Sequence, residues 1–146
     1  PDSHLFAEAE WLVSEKEPDF LYIHPMNVDD DGHKFTADSV QYRNRVLATD
    51  GLLALTLPKW MELGYDIIVT ADHGMTSDGN HGGNTASDRH VPLFIASNKV
   101  KPVVQEQLIS QLQVAPLACH LLGIDPSEAM VPLTIPGLVE YSKTHF

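Results

Sequence analysis

A chain of 146 residues, 43% apolar and 20% charged, can bury one core of ordinary size, and no stretch of it approaches the roughly 20 consecutive apolar residues that span a bilayer as a helix. Its 20 acidic against 9 basic residues leave a formal net charge of -11, which excludes a surface built to attract nucleic-acid polymers or anionic lipid. The single cysteine, Cys119, excludes an internal disulfide and reads within VAPLACHLLG as a small buried apolar side chain.

In chain order, Leu5, Ala9, Leu12 and Val13 recur at helical spacing, and Pro18 blocks continuation, so the pattern predicts a helix over Ser3–Glu15. Phe20–Ile23 is a short apolar β-type run ending at His24-Pro25, and a polar loop over Asn27–His33 follows. From about Ser39 the apolar spacing is helical again, with a kink or break expected at Gly51 and Pro58 and a C-cap at Gly64. Ile67–Thr70 reads as a second strand and Pro92–Ala96 as a third. Two short helices are expected over Gln105–Gln113 and Pro116–Leu122, the latter stopped by Gly123. The tail, Asp125 to Phe146, reads as loops with at most one short strand. Helix–strand alternation with continuous apolar strands indicates an α/β fold, a mostly parallel sheet flanked by helices, without an internal domain boundary. Because the first residue is Pro1 and not Met, the chain is expected to begin partway through a longer sequence. The compartment, cytoplasmic or exported, is therefore left open.

Functional groups in such sheets gather at the carboxyl ends of strands. Three polar clusters lie there or in adjoining loops. The first is Asp29-Asp-Asp-Gly32-His33, where a carboxylate and an imidazole four residues apart can face one cation, Gly32 freeing the backbone between them. The alternative is a solvated turn, since turns use these residue types anyway; at least one of Asp30 and Asp31 is expected to be exposed. The second is Asp72-His73-Gly74-Met75, an acid and a base where a buried strand stops, with Gly74 to turn the backbone. An acid there is costly unless it is paired or metal-bound. The third is Asn80-His81-Gly82-Gly83; His90 competes with His81, which is preferred because a flexible loop can deliver it to the sheet edge. His24, at a strand end before Pro25, is a secondary candidate to line the site, whereas His4, His120 and His145 lack acidic or glycine context.

D-x-x-G-H at Asp29–His33, D-H-G-M at Asp72–Met75, H-G at His81-Gly82 and the segment Ala115–Ile124 stand in the order found in the second half of the alkaline phosphatase superfamily. The chain most closely resembles the type I phosphodiesterase/nucleotide pyrophosphatase branch, from the first helix to about Pro132. The resemblance implies the C-terminal portion of an alkaline-phosphatase-like catalytic core, covering 1–146 as one piece. It implies two divalent cations, with zinc favoured by mixed imidazole and carboxylate donors and manganese next. Asp29, His33 and His81 would match the ligands of one cation, and Asp72 and His73 ligands of the other. The remaining aspartate ligand and the nucleophilic Thr or Ser have no counterpart here, since Thr134 in PLTIP follows no strand and has no acidic partner. The expected activity is metal-dependent hydrolysis of phosphoric esters on a phosphate-ester or nucleotide substrate, completed by an N-terminal half of the same protein. Alone, the chain is expected to bind metal without turnover. A phosphonate hydrolase or metal-dependent phosphomutase shares these ligands, and a non-catalytic metal-binding module is a third reading.

Overall fold

The computed structural model describes residues 1–139, in the order α1 (Asp2–Lys16), α2 (Asn27–Phe35), α3 (Val40–Glu62), β1 (Ile67–Thr70), α4 (Ala86–Arg89), β2 (Leu93–Ala96), a 3-10 turn at Gln111–Gln113 and α5 (Val114–Leu122). The expectations for His145 and the end of the tail lie outside the described residues. Backbone contacts divide the chain into two units, Pro1–Phe94 and Ile95–Phe146.

In the first unit, Phe6, Ala9 and Val13 lie three and four residues apart on one face of α1 and are buried with Trp60 of α3. Leu21, Ile23, Leu52, Leu53, Leu57, Tyr65 and Ile67 pack around them. Glu10 clamps the two helices at their polar border, accepting hydrogen bonds from Lys59 Nζ (3.0 Å) and Trp60 Nε1 (2.8 Å). The Lys59 bond holds the Glu10 carboxyl below its ordinary range, against the opposing effect of burial. α3 runs as one helix of 23 residues through Gly51 and Pro58, so the chain does not break there. Proline removes one helical hydrogen bond near the end of α3, where Leu57 and Trp60 hold the last turns in the core. Gly64 follows with φ 93°, a conformation glycine adopts without penalty.

The sheet departs most from expectation. β1 and β2 pair as two strands, and the hydroxyl of Thr70, last in β1, donates to the carbonyl of Pro92, just before β2 (2.9 Å). The end of one strand thus meets the start of the other, so the pair is antiparallel. The fold is helix-rich α/β, and the mostly parallel sheet is not formed among the described residues. Phe20–Ile23 joins no sheet there, so its parallel pairing with Ile67–Thr70 is absent. The run keeps a strand's two-residue alternation, with Phe20, Tyr22 and His24 outward and Leu21 and Ile23 half-buried. Its inward side chains are taken up by the helical core, and a ladder needs a partner strand along its edge.

In the second unit, Pro116, Leu117 and Leu121 of α5 and Ile135 are buried. The buried Gln113 side chain donates to Pro132 O (2.8 Å) and accepts from Thr134 N (2.7 Å). The segment around Thr134 is thereby held as structure. The helix expected over Gln105–Gln113 shrinks to the 3-10 turn. Its apolar residues Leu108 and Leu112 are 75% and 67% exposed, and helical spacing without a surface to pack on does not hold a short helix. Gly123 caps α5 with φ 71°. Among the described residues no helix is long and apolar enough to cross a membrane.

Candidate metal centre

Asn27–His33 is most of helix α2 and not a loop. The signal lies 25 residues upstream. Asp2 is buried, and its Oδ1 accepts the backbone N–H groups of Met26 (3.2 Å) and Asn27 (3.3 Å), satisfying donors that a new helix leaves open. Asp29 and Asp30 in the first turn and His33 and Lys34 in the last complement the helix dipole. Asp29 and His33 then lie one turn apart on the same face. Gly32 lies against the Met75 side chain, whose Cε would be 2.6 Å from a Cβ at that position. Asp31 accepts from Arg45 Nε at 2.7 Å and Asp30 is exposed, leaving Asp29 as the acid of this run that meets imidazoles.

β1 stops at Thr70, and the backbone turns at Gly74, whose N–H donates to Asp88 O of α4 (2.8 Å). A Cβ on Gly74 would lie 1.9 Å from Ser87 O. The Thr76 hydroxyl ties the next turn by donating to Asn80 O (2.7 Å) and to the Asp78 carboxylate. Gly79, at φ 77°, sits against Gly32, where a Cβ would meet the Gly32 carbonyl at 2.9 Å. The loop carrying His81 is latched to α4 by Asp88, which accepts from Gly83 N (3.2 Å), Thr85 N (3.2 Å) and Thr85 Oγ1 (2.5 Å).

The Thr85 hydroxyl bond, aided by these backbone amides, holds the Asp88 carboxyl below its ordinary range. A carboxyl that titrates lower folded than unfolded gives its full stabilisation above the unfolded value and loses it as pH falls through the folded one. Acidification through the carboxylate range is therefore expected to release the Gly83 and Thr85 amides to hydrogen exchange. In Asp88→Asn these amides should exchange fast at every pH.

The donors converge around one oxygen. Asp29 Oδ1 lies 3.5 Å from His33 Nε2, 3.5 Å from His81 Nε2 and 3.8 Å from His73 Nε2. It is buried and has no hydrogen-bond partner. These separations exceed the roughly 2.7–3.2 Å of an N–H···O hydrogen bond. Donors about 2.0–2.2 Å from a four-coordinate zinc lie roughly 3.3–3.6 Å apart along a tetrahedral edge, which matches the separations to His33 and His81, while His73 lies just beyond it. Asp29, His33 and His81 each offer one ligand atom, all within 4.8 Å of one another. The imidazole tautomers agree. His33 Nδ1–H donates to Gly79 O (2.8 Å) and His73 Nδ1–H to Gly74 O (2.9 Å), so each Nε2 keeps its lone pair for a cation. A buried oxygen without a hydrogen-bond partner, beside the Nε2 atoms of His33 and His81, is a donor set that fits a divalent cation.

Asp72 also adjoins His73. Its Oδ1 accepts the His73 backbone N–H (3.1 Å), and its Oδ2 is 3.5 Å from His73 Nε2. His73 stacks on His81, ring centroids 3.6 Å apart, and reaches both acids. His24 reaches Asp72 as well, Nε2 to Oδ2 at 3.6 Å. His90 follows α4 as an exposed capping residue and is not among the three clustered donors. Sequence reasoning missed Asp2, which accepts from backbone amides 24 and 25 residues on, and Asp88, whose local capping box with Thr85 the T-x-x-D spacing signals. It also missed Tyr42, whose phenol burial and then the Asp29 charge hold above its ordinary range.

The family model described as type I phosphodiesterase / nucleotide pyrophosphatase matches residues 2–88. Human GPI ethanolamine phosphate transferase 3, catalytic subunit, is 29% identical over 112 residues, covering 74% of this chain and 10% of that protein. GPI ethanolamine phosphate transferase 2 of Debaryomyces hansenii is 31% identical over 83 residues, 57% of this chain and 10% of its own length. The 2,3-bisphosphoglycerate-independent phosphoglycerate mutase of Bacteroides fragilis is 27% identical over 122 residues, 80% of this chain and 23% of the mutase. The chain thus matches about a tenth of the length of the two transferases. No solved structure matches.

Proposed function

This chain belongs to the type I phosphodiesterase/nucleotide pyrophosphatase family of the alkaline phosphatase superfamily, and from that premise we propose that it carries the cation-binding part of a site for metal-dependent phosphoryl transfer. The observation that carries this reading is Asp29 Oδ1, buried, without a hydrogen-bond partner and ringed by the Nε2 atoms of His33, His73 and His81. Asp29, His33 and His81 hold one divalent cation, and Asp72 and His73 contribute to a second. Mixed imidazole and carboxylate donors favour zinc, with manganese next. When bound, the cations supply the positive charge that draws a phosphate ester and stabilises charge on its transferring group.

The chain's own residues fix the donors. Asp2 starts the helix that presents Asp29 and His33, Gly79 O orients the His33 ring, and Asp88 anchors the loop bearing His81. A chain of net charge -11 repels phosphate unless cations intervene. The nucleophilic hydroxyl that attacks phosphorus is supplied from outside these residues. We take hydrolysis of a phosphoric ester, of the phosphodiesterase or nucleotide pyrophosphatase type, as the reaction. Transfer to an alcohol is the second reading, favoured by relatives named as a transferase and a mutase.

The test is calorimetric zinc titration of the full chain, followed by inorganic phosphate. Zinc is expected to bind, about 10- to 100-fold more weakly in His81→Ala and unchanged in His90→Ala. Phosphate should bind the zinc-loaded chain and not the metal-free one. Phosphate binding without zinc, or equal zinc binding in His81→Ala, would overturn the reading.

A further inference from the structure

We propose that Asp88 is a positioning residue for two histidines at once, for His81 through its side chain and for His73 through its main-chain carbonyl; this rests on the reading of both rings as cation donors. The stack of His73 on His81, 3.6 Å between ring centroids and 17° between ring planes, is then set by α4 and not by either loop alone.

α4 has four residues, far fewer than the roughly 12–15 at which a helix holds by itself in water. Its place is therefore fixed by what caps it. Thr85 and Asp88 form a reciprocal box, the Asp88 N–H donating to Thr85 Oγ1 (3.4 Å) and the Thr85 N–H to Asp88 Oδ2 (3.2 Å). Asp88 is 5% exposed, so little water competes for these bonds.

Two arms leave this single turn. The first is the side chain, whose Oδ1 accepts the N–H of Gly83 (3.2 Å), two residues after His81. The second is the main chain. Asp88 O accepts the Gly74 N–H (2.8 Å), and the Gly74 carbonyl in turn accepts the Nδ1–H of His73 (2.9 Å), which fixes that ring and its tautomer. Both loops meet α4 at a glycine. A Cβ on Gly83 would lie 2.7 Å from Asp88 Oδ2, and one on Gly74 would lie 1.9 Å from Ser87 O. His33 stands outside this chain of bonds. Its Nδ1–H donates to Gly79 O (2.8 Å), and the Gly79 N–H is tied to Thr76 O (3.0 Å). The third ring is therefore an internal control.

The experiment is 15N NMR of the full chain labelled at histidine, at a pH where the imidazoles are neutral, first without metal and then through a zinc titration. In the metal-free wild type, His33 and His73 are each expected as a single Nδ1–H tautomer. Asp88→Asn cannot accept at both side-chain positions, and it should turn His73 into an exchanging mixture of tautomers while His33 keeps its own. Zinc should then bind about 10-fold more weakly, the loss typical of an outer-shell partner. Thr85→Val removes the hydroxyl of the box and leaves Asp88 in place, so it should act in the same direction to a smaller degree. Thr85→Ser keeps the hydroxyl and should match wild type. A His73 ring unmoved in Asp88→Asn would overturn the proposal, whatever happens to zinc affinity. So would an equal loss at His33 and His73, the mark of a fold loosened as a whole. Zinc binding unchanged in Asp88→Asn but weakened in His81→Ala would overturn the positioning role and leave the donor reading intact. Zinc binding unchanged in His81→Ala would end that reading, with the metal-free spectra still deciding the link from Asp88 to His73.

Discussion

Asp29→Asn is expected to leave the metal-free chain at least as stable as wild type while weakening zinc binding by about 100-fold, or about 2.7 kcal/mol. The two halves of this result have one cause. Asp29 Oδ1 is buried without a hydrogen-bond partner, and a desolvated, unpaired carboxylate oxygen costs the unliganded fold. Asparagine keeps the shape and removes the charge, so that cost falls. A dication at the same point loses an anionic ligand within reach of three imidazoles. Thermal unfolding with and without zinc separates the effects. At zinc 100 times the wild-type dissociation constant, binding stabilises wild type by about 2.7 kcal/mol and the variant by only about 0.4 kcal/mol. A zinc-dependent rise in Tm that survives Asp29→Asn would show that the cation is held elsewhere.

Two glycine-to-alanine changes are expected to act in opposite directions. Gly74→Ala would place a Cβ 1.9 Å from the Ser87 carbonyl oxygen. That atom is backbone and cannot swing aside as a side chain end can. Either β1's exit or α4 must move, and the Gly74 N–H to Asp88 O bond (2.8 Å) goes with it. Overpacking of this kind costs about 1–3 kcal/mol, and it also separates His73 from His81. Gly51→Ala meets nothing within 4 Å, in the interior of α3, and should stabilise by about 0.5–1 kcal/mol through helix propensity. Denaturant midpoints of the two variants test the sign, and zinc titration tests the site. Equal midpoints would show that the contact at Ser87 is not felt.

What the sequence revealed depended on range. Ile67–Thr70 and the closures at Gly64 and Gly123 were legible because local pattern and local chemistry agree there. Asp29, His33, Asp72, His73 and His81 could be singled out by residue type beside a strand end, and their mutual geometry then came from the structure. The helix around Asp29 was not legible, because its cap is Asp2, far upstream, while DDDG on its own spells a turn. The parallel sheet failed for a related reason: apolar alternation in Phe20–Ile23 records which side chains are buried and says nothing of whether a strand lies alongside. Gly74 was noticed as a glycine but read as freedom, whereas the Ser87 carbonyl shows that space decided it.

Between Ser77 and Ser87 every residue but Gly79 is exposed, and His81 sits in the middle of that stretch. Few buried contacts make a segment the place where a folded chain opens first and a protease cuts. A cation held by His81 ties the stretch to α2 and closes the cut site by mass action. Limited proteolysis is therefore expected to cut this stretch first, and more slowly when zinc is added.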